Sequence, residues 1–511
     1  MSIKTFAAID VGSFELTMKI FEFSGKNNRK EIDCVSKRLE LGADTYSSGK
    51  ITNEKMDELC RTLNEFSERM RAYRVDAYKA YGTSALRETK NTPIVLDQIE
   101  QRTGIKVSIL SNSEQRFLGY KSIASMGETF NRIIEEKAAI LDIGGGSIQL
   151  SLFDNDTLVS TQNLRLGVLR LQEYVHRFST KASQSEMLVE EMAMAQLATY
   201  KKLYLKDREI QNLIVMDDYI SPFVVRKYGV EAMLEASEYA DIYSRIRCAG
   251  TVQAALDMGI SEEKVPLVFI SAMLVERIAV LMGAKHIWAP SATLCDGIAY
   301  EYAEKSKLLQ GEHNFEKDIV ACATSIGKRY MGSKKRSETL ERIATTIFDS
   351  MKKVHGLGKR ERLYLRLAAI LHDCGKYIGM MNIGENSYQI IMATEIIGLS
   401  HMEREIVANV ARFNYSGFIY YDRQTDTTSL DHNSYLTVAK LTAILRLASG
   451  LDRSHKHKLT ALKANLKEGQ LVLTVDTQED ITLEKGFFEM RGDFFKEVFS
   501  VEPVLRQHKR I

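Results

Sequence analysis

The chain has little that would staple, anchor or unfold it. Only five prolines occur in 511 residues, too few for Pro-rich linkers between domains. Six cysteines (Cys34, Cys60, Cys248, Cys295, Cys322, Cys374) lie far apart without a C-x-x-C pair. Neither a disulfide framework nor a zinc knuckle is indicated, and a reducing cytoplasm is the expected setting. The N-terminal MSIKTFAAID reaches an acid at Asp10, too early for the apolar core of a signal peptide. No apolar run is expected to approach the roughly 20 residues that span a bilayer, which argues against a membrane partner. Excess charge is lacking too: 69 Lys+Arg against 67 Asp+Glu leave +2. No specific nucleic-acid partner is expected from so neutral a chain, and a polyanion would have to bind through a local patch.

What remains is a globular composition, 45% hydrophobic and 27% charged, long enough for about three domains. The run Phe6–Asp10 is apolar, turns at Val11-Gly12-Ser13 and continues as an alternating strand through Phe23. The pattern returns at Ala138–Phe153 around Asp142-Ile143-Gly144-Gly145-Gly146-Ser147. Each copy reads as a strand, a glycine turn and a second strand, with Glu15 or Gln149 before a leucine. Two related lobes facing one another explain the repeat. Helical spacing marks Asn53–Ala72 and Ser183–Leu205, and Lys106–Leu110 and Leu213–Met216 read as strands. Beyond residue 308 the periodicity is helical to about 455, and Gln470–Val475 alternates as a strand before a Phe-rich helix. The expected domains are lobe I (1–126), lobe II (127–308), a helical domain (309–455) and a small α+β tail (456–511).

Glycine turns after a strand bring backbone N–H groups close to an anion, and a carboxylate at the strand end can hold Mg²⁺ against phosphate oxygens. One such turn is weak; two matched turns suggest two phosphate-gripping surfaces on one cleft.

At this point the sequence resembles the exopolyphosphatase / guanosine-pentaphosphate phosphohydrolase (Ppx/GppA) family of the actin-like ATPase superfamily. The resemblance rests on Ala8–Ser13, Thr83–Asn91, Ser113–Gly119, Asp142–Ser147, Leu164–Gly167 and Ala249–Val252, in order. Leu371–Lys376 and Leu445–His455 resemble the HD-like domain of many members. It implies an α/β fold of two RNase H/actin-like lobes, an all-helical HD-like domain and the α+β tail. It implies Mg²⁺-dependent hydrolysis of terminal phosphoanhydride bonds in inorganic polyphosphate or guanosine pentaphosphate, by a cytoplasmic homodimer. Glu114 falls at the place of the base that activates water, and Arg87 at that of a cleft arginine. Asp142 would hold Mg²⁺. Gly144, Gly145, Gly146 and Ser147 would cradle phosphate opposite Asp10, Gly12 and Ser13. Read without the family, Glu114 is a solvated helix-start acid and Arg87 half of an ion pair with Glu88 or another acid.

Departures matter as much. The first loop continues Ser13-Phe14-Glu15 where the family has Ser-Asn-Ser, and Gln149 stands where it has a carboxylate. Glu15 could compensate for Gln149; otherwise catalysis is weakened and the cleft serves a polyphosphate or (p)ppGpp sensor. In the helical domain His372-Asp373 remain, but the expected upstream ligand falls near Arg336/Ser337 and later ones at Asn386, Asn414 and Ser449. A pair of ligands without the rest predicts a metal-free scaffold. The His455–Lys458 segment reads as solvated and basic.

Overall fold

The computed structural model describes residues 3–508 apart from 26–27, 179–181, 312, 421–429, 460 and the side chains of 182–183. They form two compact units, residues 1–314 and 315–511.

The first unit repeats one plan twice. Strands β1 (Lys4–Val11), β2 (Glu15–Phe23) and β3 (Arg29–Arg38) form an antiparallel meander. Strands β4 (Ala77–Gly82) and β5 (Val107–Ile109) then extend the sheet in parallel, giving the order β3-β2-β1-β4-β5. The second sheet has the same antiparallel start in β6 (Ala138–Ile143), β7 (Ile148–Asp154) and β8 (Thr157–Leu164). Strands β9 (Asn212–Asp217), β10 (Met233–Glu235) and β11 (His286–Trp288) complete the order β10-β11-β9-β6-β7-β8. Central β1 is buried from Phe6 to Ile9 and β7 from Ile148 to Phe153, as strands covered on both faces must be. Helix Asn53–Ala72 forms as its spacing predicts and buries Met56, Leu59, Leu63, Phe66 and Met70 on the first sheet.

Two features depart from the sequence expectation. Residues Glu262–Met282 are long and apolar enough to cross a membrane by length and composition, correcting the expectation that no run approached that length. The charged pair Glu276-Arg277 hid it. Helix Val265–Met282 lies in the core of the second sheet, with 67% of its most apolar stretch buried, as suits a helix apolar on all sides. Helix Leu294–Lys305, which follows the second sheet in the chain, packs on the first. There Cys295, Ile298, Ala299 and Ala303 share a core with Phe6, Ala8, Phe21 and Phe23. Tyr302 stacks on Phe6 with ring centroids 4.0 Å apart.

The second unit runs from helix Phe315–Arg329 through Lys334–Ser350, Lys359–Leu371, Ile383–Ala393 and His401–Phe413 to His432–Gly450. Strands β12 (Ala461–Lys467), β13 (Gln470–Asp476) and β14 (Glu502–His508) form a third sheet beside helix Thr482–Phe499. That helix comes so close to helix His432–Gly450 that a methyl on Gly450 would lie 3.2 Å from the Phe487 backbone. The expected tail is thus part of this unit's core.

Candidate functional site

Both glycine turns close β-hairpins of one design. Val11 pairs with Leu16 and Ile143 with Ile148, so each hairpin has a four-residue loop, Gly12–Glu15 and Gly144–Ser147. Asp10 then lies opposite Thr17, and Asp142 opposite Gln149. This register corrects the symmetry read from the sequence: the counterpart of Gln149 is Thr17, and Glu15 corresponds to Ser147. Gly12 is required, because a methyl there would sit 2.5 Å from the Glu15 carbonyl oxygen. Gly167 passes against the backbone of Gly145–Ser147 and leaves no room for a side chain.

The loops face one another: a methyl on Gly145 would lie 3.5 Å from Ser13 Cβ, and one on Gly146 3.6 Å from Ser84 Cβ. Ser13 Oγ lies 2.7 Å from Ser84 Oγ and accepts the Ala85 N–H at 3.1 Å, while Tyr46 donates to Ser84 at 3.0 Å. A cavity of about 440 Å³ opens between the loops, lined among others by Asp10, Gly12, Ser13, Glu15, Ser84, Gln115, Gly144, Gly145 and Asp218. Of the residues expected at the site, it gathers Asp10, Gly12, Ser13, Gly144, Gly145 and Glu15.

The others stand behind this surface. Arg116, 4% exposed, pairs with Asp142 Oδ1 and donates from Nη2 to the Ser147 carbonyl at 2.8 Å and to Ser147 Oγ at 3.2 Å. Asp142 and Ser147 are therefore engaged by a guanidinium that sequence reasoning gave no role. Its signal was a cationic fork two residues after Glu114. The Gly146 carbonyl accepts from Arg170 Nε at 2.8 Å. Gln149 is buried and donates to Ser151 Oγ at 3.3 Å. Arg87 donates to the Leu110 carbonyl at 2.7 Å and to Gln115 Oε1 at 3.2 Å, while Glu88 pairs with Arg170 at 3.0 Å. Arg87 thus fixes Gln115, which lines the cavity. Glu114 closes a capping box at the start of helix Asn112–Ala124: its Oε2 accepts the Ser111 N–H at 2.9 Å and Ser111 Oγ accepts the Glu114 N–H at 3.2 Å. Glu15 is held by Lys264 at 2.9 Å.

The cavity is acidic as well as glycine-lined. Its depth, then Asp218 and Glu15, push the Asp10 carboxyl well above the ordinary range. Asp10 Oδ1 is buried without a hydrogen-bond partner among the described residues. Asp218 is the cavity-lining acid that sequence reasoning missed. Its neighbour Asp217 is spent on the N–H groups of Ile220 (3.0 Å) and Ser221 (2.8 Å), which sends Asp218 to the cavity at the end of β9. Water reaches Asp218, yet protein encloses it closely enough that desolvation, then Glu15, Asp217 and Asp142, raise its carboxyl to about 7. The signal was an apolar strand ending in Asp-Asp, since strand C-terminal ends carry ligand sites in α/β sheets. Burial works against the charge of Lys19, but Asp296 at 3.1 Å and Glu31 at 3.0 Å more than offset it and hold the ammonium charged.

Asp218→Asn removes one of these titrations. In the unfolded chain the carboxyl ionises near 3.8 and in the fold near 7. Between these values the native state keeps a proton that the unfolded state has lost, so this group lowers stability as pH rises. The Tm of Asp218→Asn relative to wild type should grow from about pH 4 to about pH 7 and level off above. A difference flat across that window, in thermal denaturation at constant ionic strength, refutes the shift.

Comparison with known proteins gives the chain its family. The profile of the Ppx/GppA phosphatase family matches residues 27–217, and that of Ppx/GppA phosphatase domain III matches residues 320–489. The chain belongs to the Ppx/GppA phosphatase family. It is similar to the guanosine-5'-triphosphate,3'-diphosphate pyrophosphatase of Vibrio vulnificus, 22% identical over 93% of this chain and 92% of that protein. It is also similar to exopolyphosphatase 1 of Mycobacterium leprae, 29% identical over 32% of this chain and about half (47%) of that protein. The fold resembles the crystal structure of an exopolyphosphatase from Cytophaga hutchinsonii, with TM-score 0.51 and 18% identity over 60% of this chain and 100% of that one.

In the region matching Ppx/GppA domain III, His372 and Asp373 are buried at the end of helix Lys359–Leu371. His372 Nδ1 lies 2.8 Å from the Ala369 carbonyl, and Asp373 Oδ2 is 3.5 Å from Arg336 and 3.2 Å from Lys376. Arg336 stands where the upstream ligand was expected, and an arginine cannot ligate a metal. Asn386 donates to the Met381 carbonyl at 3.4 Å, while Ser449 donates to Asn414 Oδ1 at 3.0 Å. Among the described residues no group of three His, Cys, Asp or Glu side chains could hold a metal ion.

Proposed function

We propose that the chain hydrolyses terminal phosphoanhydride bonds, of inorganic polyphosphate or of guanosine pentaphosphate, in the cleft between its two hairpin loops. The observation that carries this reading is the pair of four-residue loops facing each other over one cavity. Their amides and the Ser13 and Ser84 hydroxyls are donors of the kind that stabilise charge on phosphoryl oxygens. Arg116 keeps the second loop rigid by tying Asp142 to Ser147. Glu114, adjacent to cavity-lining Gln115, takes the proton of the attacking water through the carboxylate oxygen not used in its cap.

The donor set fits Mg²⁺ in one respect. Mg²⁺ needs only one or two carboxylates, since water and substrate phosphates complete its shell. Asp10, with its unpartnered Oδ1, is the residue that would hold it. Asp142, given that role by resemblance, is occupied by Arg116. When bound, Mg²⁺ supplies charge neutralisation on the phosphate oxygens. The second unit serves in this reading as a metal-free HD-like scaffold, and the enzyme acts in the cytoplasm as a homodimer.

A second reading, a sensor that binds the same anion without turnover, is favoured by the buried amide of Gln149 opposite Asp142. Phosphate release from polyphosphate and guanosine pentaphosphate, with and without Mg²⁺, separates the two when run beside a binding measurement. Mg²⁺-dependent release is expected. Binding without release establishes the sensor, and neither binding nor release overturns both.

A further inference from the structure

The second unit concentrates cations where its fold has lost metal ligands. Four elements bring cations within electrostatic reach of one another: Arg336 from the first turn of helix Lys334–Ser350, Lys376 from the turn Cys374–Tyr377, Arg453 and His455 from the segment after helix His432–Gly450, and Arg491 from helix Thr482–Phe499. Asp373 is the acid among them, and it is over-subscribed: Arg336 and Lys376 approach the same oxygen, Oδ2. Arg453 has no carboxylate partner among the described residues; its guanidinium lies 4.4 Å from the centroid of the Phe487 ring. Among the described residues Arg491 donates only to neutral oxygens, those of Asn414 at 3.3 Å, the Arg446 carbonyl at 3.1 Å and Ser449.

Such a cluster repels itself. Burial, then Arg336, lower the proton affinity of Lys376; burial, then Arg453 and Arg446, bring Arg491 down to about 10. His455 is lowered to about 4 by burial, then Arg336, Lys376 and Arg453. Arg336 is only 7% exposed, yet its Nη1 makes no hydrogen bond among the described residues. That nitrogen approaches Asp373 Oδ2 at 3.5 Å, an oxygen it shares with Lys376, and a buried guanidinium N–H without a hydrogen bond is costly unless an acceptor arrives. Lys376, Arg453 and His455 are the members that solvent reaches, so an anion has a route in. The acids that oppose it are Asp373 and, beyond it, Asp452, already beside His457 at 3.5 Å, and Glu484, paired with Lys458 at 2.9 Å.

We propose that this cluster is a binding site for a phosphate group, separate from the cleft and independent of the activity assigned to it. Guanidinium and ammonium donors that outnumber the acid among them, Asp373, suit a tetrahedral phosphate anion, which Arg336 and Arg453 would take in forked hydrogen bonds and Lys376 as a point charge. The phosphate could be a free ion or the end of a polyphosphate chain; the two share this chemistry.

The test uses the full chain and a reporter inside the site, the imidazole resonances of His455, titrated with inorganic phosphate and, separately, with polyphosphate. Each is compared with chloride at matched ionic strength. A bound anion offsets Arg336, Lys376 and Arg453, so the His455 titration should move to higher pH, saturably, in phosphate but not in chloride. Arg453→Ala, at a partly exposed position, should weaken that saturation at least about tenfold, the loss expected for a charge-assisted hydrogen bond. An unchanged Tm in this variant keeps the result free of unfolding. A response to polyphosphate alone also supports the site and makes its ligand the chain. Identical His455 titrations in all three salts overturn the proposal and leave the cations as internal replacements for the lost metal ligands.

Discussion

Glu114→Gln should lower turnover by about 10²–10⁴-fold, the usual worth of a positioned general base, while leaving the Tm unchanged. The two halves of this expectation test different roles of one side chain. Glu114 caps helix Asn112–Ala124 through Ser111, and glutamine fills the same position of a capping box through its amide oxygen. A residue that only caps would therefore tolerate the change in both respects. A residue that also removes a proton from water would not, because an amide has no basic oxygen near neutral pH. Single-turnover phosphate release beside a thermal melt reads both quantities. Full activity in Glu114→Gln would remove it from the chemistry and leave the capping role alone.

Arg116→Met should cost stability rather than chemistry first. Arg116 is almost wholly buried and joins Asp142 to both the carbonyl and the hydroxyl of Ser147. Removing one member of a buried pair strands the other charge, typically at about 3–5 kcal/mol, or a Tm loss on the order of 10 °C for a unit this size. Arg116→Lys should recover only part, since a lysine keeps the charge but cannot fork to Ser147. Arg116→Met with Asp142→Asn should be more stable than Arg116→Met alone, because the stranded charge is gone. A double variant no better than the single one, by chemical denaturation, refutes the pairing as the source of the loss.

Much of the cleft was legible because its signals are local. Glycine beside a strand-ending aspartate, twice, named Asp10, Gly12, Ser13, Gly144 and Gly145, which line one cavity. Arg336, at the position where the resemblance leads one to expect a metal ligand, was also readable, and it lies 3.5 Å from Asp373. What was not legible depended on pairing between distant segments. Hairpin register decided that Gln149 corresponds to Thr17 rather than Glu15, a two-residue offset that a shared leucine concealed. Asp218 reaches the cavity because β9 lies parallel to β6, with Asp217 level with Ile143. Arg116 and Asp142 meet across 26 residues of chain. Helix Val265–Met282 was masked by Glu276 and Arg277, whose charge is met locally: Arg277 pairs with Glu190 at 2.8 Å and with Glu276 at 2.7 Å.

The helix Leu294–Lys305 that covers Phe6, Ala8 and Phe21 gives the first sheet a history as well as a shape. During synthesis the strands of that sheet leave the ribosome long before the helix that seals one of their faces. At about 5–20 residues per second, the interval between Leu110 and Leu294 is roughly ten to forty seconds. Throughout it, the cover that this helix gives Phe6, Phe21 and Phe23 is missing while the second sheet is being made. The first lobe is begun first and finished last. Both hairpin loops of the cleft are therefore complete in the chain before the face behind β1 is closed.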